Sequence, residues 1–151
     1  MEPTGGDVAD RTPAQWTSDG VPNAAAEDTR LHQEGFREVV SVQTGSTHGQ
    51  GISWVMQLGS ASAASRELTA ELHEFAYGPD APTTTTRFIV PGVPSAKGWV
   101  FPGSDANVLF TEGPCLLLVG DALPGGDQRP VVAATHTVWA RTHGKPGACA
   151  T

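Results

Sequence analysis

Five histidines, two cysteines and sixteen acidic residues are the side chains of this 151-residue chain with the chemistry to move protons, attack carbonyls or hold metals. The histidines (His32, His48, His73, His136 and His143) form no H-x-x-x-H, no H-E-x-x-H and no histidine–cysteine cluster at zinc spacing. His136 and His143, seven apart, share a helix face two turns apart, too distant for joint ligation without other groups. His48 lies in the glycine-rich stretch Gly45–Gly51, which reads as a turn. That stretch lacks the G-K-[ST] ending of a phosphate loop and leads into a strand, so a phosphate would meet no helix N-terminus there. No G-x-S-x-G is present, and Gly59-Ser60-Ala61-Ser62 reads as a helix cap rather than a nucleophile elbow. Glu67, Glu71 and Glu74 fall along one side of a predicted helix, where a solvated face explains them better than an acid–base pair. Asp121, just after a predicted strand, is the one acid in the body that invites inspection. These patterns imply no metal, no cofactor and no catalytic residue.

The tryptophans and cysteines offer other leads. Trp54, Trp99 and Trp139 sit on predicted elements, and core packing accounts for such large aromatics. Trp99, inside the Pro- and Gly-rich stretch from Pro91 to Gly103, is also the candidate ligand-binding residue, because adaptable grooves favour aromatic walls. Cys115 begins an apolar run and Cys149 is the third residue from the C-terminal end. They read as a disulfide pinning the tail to the sheet, or else as two unrelated thiols. In the chain-entropy model, closing a loop of about 35 residues stabilises by roughly 4 kcal/mol.

The elements that must position these residues follow from periodicity. Ala24 to Glu34 reads as a helix capped by Asn23 and stopped by Gly35. Phe36 to Thr44 and Ile52 to Leu58 read as strands. Ala61, Ala64, Leu68, Leu72 and Phe75 form a helical stripe capped by Ser60 or Ser62. Arg87 to Val90 and Trp99 to Phe101 are short strands. Ala106 to Thr111 and Cys115 to Gly120 flank a hairpin turn, the second apolar throughout and so covered on both sides. Asp127 and Pro130 start a last helix that ends at Gly144. The order implies an α+β fold: two layers, an antiparallel sheet with helices packed on one face, with the pattern of two hairpin-plus-helix halves.

Charge is uneven along the chain. Residues 1–34 hold −5 of the formal −7, and residues 1–22 are polar, with too little apolar surface to offset their ordering entropy. They read as a flexible tether ahead of a single domain over residues 23–151. The acidity argues against nucleic-acid binding, and no apolar run approaches a membrane span. Met1 is followed by no basic and apolar leader, which at face value means the cytoplasm. A trimmed exported chain would look the same.

Several short runs carry a resemblance: Gly35-Phe36-Arg37-Glu38, Val90-Pro91-Gly92-Val93-Pro94, Ala106-Asn107-Val108-Leu109-Phe110, Leu118-Val119-Gly120-Asp121 and Ala140-Arg141-Thr142-His143-Gly144. Together, over residues 24–144, they resemble a family of uncharacterised actinobacterial secreted proteins and lipoproteins. The resemblance implies export, often with a lipid-anchored cysteine ahead of a polar tether, and it brings no catalytic residues. The expectation is therefore a monomeric, non-catalytic extracytoplasmic module that binds a partner protein or a small apolar ligand. An enzyme with a site assembled from distant residues and a structural envelope protein are the alternatives.

Overall fold

The computed structural model describes residues 8–11, 24–46, 49–74, 85–101, 105–122 and 126–145. Its centre is a seven-stranded antiparallel sheet made of two meanders joined at a seam. The strands are β1 (Val8–Arg11), β2 (Glu38–Ser46), β3 (Gly49–Gln57), β4 (Thr86–Ile89), β5 (Lys97–Val100), β6 (Asp105–Glu112) and β7 (Cys115–Ala122). Their order across the sheet is β1-β2-β3-β7-β6-β5-β4. At the seam β3 runs antiparallel to β7, with Trp54 opposite Leu118 and Met56 opposite Leu116. The helices are α1 (Ala24–Gln33), α2 (Ala61–Leu72) and α3 (Arg129–Thr142).

The α+β class and the antiparallel sheet are as expected, but the layering is different. Successive residues of a strand point to opposite faces, and both faces of this sheet are apolar. Trp54, Met56, Leu109 and Leu116 pack with Leu31 of α1 and with Ala64 and Leu68 of α2. Val108, Phe110, Leu117 and Val119 pack on the other side with Val131 of α3. Helices α2 and α3 both cover β6 and β7, from opposite sides. The expectation of helices on one face fails because a strand apolar throughout, such as β7, needs a cover on each side. Two hairpin-plus-helix units do exist, β2-β3-α2 and β6-β7-α3. A rotation that superposes β3 on its antiparallel neighbour β7 would carry α2 to the face it already occupies, so opposite faces leave the units without twofold symmetry.

Local signals set the boundaries. The Ser60 hydroxyl accepts from the Ala63 N–H at 3.1 Å and starts α2, a cap worth about 1 kcal/mol. Gly35, at φ 67°, ends α1 with Phe36 N–H donating to Leu31 C=O and Gly35 N–H to His32 C=O. A β-carbon on Gly35 would stand 3.1 Å from the Gly59 Cα, so the end of α1 and the start of α2 touch through backbone. At α3 the cap position falls on Gln128, which offers no side-chain bond. Asp127, one residue earlier, accepts from the Arg129 N–H instead.

Two expectations change near the N-terminal end of the sheet. Val8–Arg11, inside the segment read as a tether, forms strand β1 and pairs with Val39–Val42 of β2. Strand addition satisfies backbone groups and asks little of side chains, so polar composition did not exclude it. The rest of residues 1–22 lies outside the described residues, as does the Asn23 cap. Likewise β2 and β3 run further than expected, pairing as far as Ser46 with Gly49. Much of the stretch read as a turn is therefore strand, and His48 lies outside the described residues.

Candidate functional site

The buried charged side chains of the described residues are concentrated between α1 and α2. Helix α1 (AAAEDTRLHQ) has one large apolar residue, Leu31, which is fully buried. The remainder of its inner face is charged. Glu27, Glu67 and Glu71 are 4 %, 0 % and 3 % exposed, and Arg30 stands among them. The Arg30 Nε donates to Glu67 Oε2 at 2.8 Å and a terminal nitrogen donates to Glu67 Oε1 at 2.9 Å, the forked pairing that makes arginine a strong carboxylate partner. The same terminal nitrogen reaches Glu71 Oε1 at 3.5 Å. Further out, Arg66 forks onto Glu34.

This corrects the reading of Glu67 and Glu71 as a solvated face; only Glu74 is exposed. Positions 67 and 71 flank the apolar stripe of α2 through Ala64 and Leu68, on the side that α1 covers. The sequence signal was in α1 rather than α2: a helix with a single leucine has little to dock with except Glu27 and Arg30, one turn apart. Burial, reinforced by the Glu67 and Glu27 charges and opposed by Arg30, pushes the Glu71 carboxyl well above the usual carboxylate range. The hydrogen bond to Glu67 holds the Arg30 guanidinium even more firmly protonated than usual.

The outer edge of the sheet is the second region of interest. Among the described residues β4 is the last strand of the sheet and pairs with β5 alone. Its register puts Arg87 beside Trp99 and Ile89 beside Lys97, all on the face that carries Leu109. Ile89 is 71 % exposed, and Arg87 and Lys97 are exposed around it. On the opposite face the Phe88 ring lies across Gly98, so close that a β-carbon there would be 2.3 Å from it. Trp99 itself is 2 % exposed, part of the core under α2, with the Phe101 ring edge-on at 6.3 Å. Its Nε1–H is buried without an acceptor, and so is the hydroxyl of Thr85 just before β4.

The remaining sequence candidates take structural places. Cys115 is buried at the start of β7, and no free cysteine occurs among the described residues; Cys149 lies outside them. Asp121 stands opposite Gly51 and Ala106, and burial raises its carboxyl. His143 stacks on Trp139 at 4.2 Å and shares a 3.1 Å hydrogen bond with Glu112, which also accepts from the Gly144 N–H. This carboxylate clips the end of α3 to the β6–β7 turn. Burial opposes its ionisation, but the hydrogen bonds from His143 and Gly144 outweigh that and lower the Glu112 carboxyl.

Among the described residues no group of three histidine, cysteine or acidic side chains is placed to hold a metal ion. No helix among them is long and apolar enough to cross a membrane. Comparison with family models, with curated proteins and with solved structures returned no match to this chain.

Proposed function

We propose that the chain is an exported, non-catalytic binding module that takes an extended, acidic segment of a partner protein onto the free edge of β4. One observation carries the reading: a terminal strand that exposes a large apolar side chain, Ile89, between Arg87 and Lys97. An open edge offers backbone donors and acceptors to an added strand, and alternate side chains supply the specificity. Charge selects the occupant. β4 and β5 contain two bases and no acid (TRFI and KGWV) in a chain with a formal net charge of −7. Two copies of this edge repel one another, whereas carboxylates flanking an apolar residue complement it. The test is calorimetric titration with a capped peptide alternating Asp or Glu with Val, against the same peptide with Lys for the acids. Binding of the acidic peptide that Ile89→Glu abolishes supports the reading. Equal binding of both peptides, or of neither, overturns it.

Export rests on a Cys115–Cys149 disulfide, which the burial of Cys115 and the absence of a free thiol among the described residues support. Thiol titration of the unfolded, unreduced protein then finds no reactive cysteine, and finding two removes this part of the proposal. A second reading, a small apolar ligand carrying a hydrogen-bond acceptor, is favoured by the buried Trp99 N–H without a partner. Native mass spectrometry decides it: extra mass lost on denaturation, and absent in Trp99→Phe, favours the ligand over the peptide.

A further inference from the structure

We infer that the sheet face around Trp99 takes an uncharged small molecule with an apolar body and a carboxamide head. Trp99, Thr85 and Asn107 hold it, an inference that rests on the small-ligand reading of Trp99. Trp99 Nε1 and Thr85 Oγ1 are both buried with no hydrogen-bond partner. A buried polar group left unpaired costs stability, and native chains keep few of them. Here the two share one face of one sheet edge. Trp99 lies opposite Arg87, and Thr85, two residues before Arg87, falls on the same side by strand alternation.

The register places a third polar group beside them. One row crosses the sheet on this face: Arg87, Trp99, Asn107, Gly120 and Ile52. Asn107 is the direct cross-strand neighbour of Trp99, yet its Oδ1 lies over Gly120, 2.6 Å from where a β-carbon would stand. Glycine at 120 is what leaves the amide that space. The side chain best placed to pair with the indole thus leaves the indole N–H unpaired. Around the row the face is apolar and partly open. Leu72, Phe101 and Leu118 are only partly buried, and Ile52 is 37 % exposed. An apolar wall with a few polar groups set into it is the make-up of a small-molecule site.

The polar atoms select the ligand. An indole N–H only donates, an amide oxygen only accepts and a hydroxyl does either. A carboxamide answers all three: its oxygen accepts from Trp99 and Thr85, and its N–H donates to Asn107 Oδ1. Charged heads fail for separate reasons. An ammonium has no lone pair to offer the indole N–H. The cations on this face, Arg87 and Lys97, are exposed to water, whereas the unpaired atoms are buried. A carboxylate drawn to Trp99 would therefore lose its hydration without gaining a buried counter-charge.

The test follows the Trp99 indole N–H by nitrogen-15 NMR of the full chain, assigned through Trp99→Phe, as hexanamide is added. Hexanoate, of the same length but charged, is the control. Hexanamide should move that resonance downfield to saturation, and hexanoate should bind about tenfold more weakly or not at all. Thr85→Val should weaken hexanamide about tenfold, the worth of one hydrogen bond. The same variant should raise the thermal midpoint of the ligand-free chain, because it removes an unpaired buried hydroxyl. A purely structural threonine would not move binding and stability in opposite directions. Asn107→Ala should weaken hexanamide to a similar degree, and carries the test if Thr85→Val does not fold. Hexanamide binding at Trp99 that neither variant weakens, or hexanoate binding equally well, overturns the carboxamide site while leaving a ligand at Trp99. No shift of the Trp99 resonance with either compound overturns the site and the small-ligand reading together.

Discussion

Arg30 is the residue on which the charge balance of the α1–α2 interface turns. Replacing it by Met leaves Glu67 buried without its forked partner, a loss expected to cost about 2–4 kcal/mol, because breaking a buried pair is worse than never having one. The double replacement Arg30→Met with Glu67→Leu removes both charges, and chemical denaturation should show much of that loss restored. If the double variant is as unstable as the single one, the pair is not the source of the cost. Glu112 acts with the opposite pH sign from Glu71. Its carboxyl is lowered, so its contribution is present above the ordinary carboxylate value and fades as pH falls. Glu112 is half-buried but its His143 partner is exposed to solvent, so the effect is small. Glu112→Gln should flatten the acid limb of the thermal midpoint against pH and leave the alkaline side unchanged.

Elements are where the sequence was most and least legible. The stripe Ala64, Leu68 and Leu72 located α2, and of the two serines the sequence offered as its cap, Ser60 and Ser62, the structure uses Ser60. Gly35 announced the end of α1, and its positive φ is what only glycine adopts readily. Gly35→Ala combines that strain with the 3.1 Å approach to Gly59, and should lower stability by about 1–2 kcal/mol in a thermal melt. Gly98→Ala should destabilise through Phe88, whose ring occupies the space a β-carbon needs. The burial of Glu67 and Glu71 was not legible, since a carboxylate beside an apolar stripe looks the same whether water or another helix covers it. Nor was the face of the sheet on which α3 packs: periodicity states which residues of Arg129–Thr142 point inward, not toward which side. Strand β1 was hidden for a third reason, because its pairing with β2 uses backbone and leaves no apolar signature in Val8–Arg11.

For the whole molecule, the two sheet edges and the C-terminal tail decide how the fold meets its surroundings. Removing residues 1–11 strips β1 from β2 and exposes a longer edge, so the thermal midpoint should drop and self-association should rise in sedimentation velocity. Cys115→Ser and Cys149→Ser should each lower the midpoint under oxidising conditions by a similar amount, with little added by the double variant. Under reducing conditions that difference from the unmodified chain should narrow. At the far edge, β4 keeps an exposed isoleucine between two cations in a chain that is acidic overall. The most direct test is nitrogen-15 NMR of the unmodified chain titrated with the alternating Asp/Glu–Val peptide. Backbone amides of Thr86–Ile89 should shift and gain protection from exchange while those of β1 do not. Shifts scattered over the surface, or confined to β1, would contradict it.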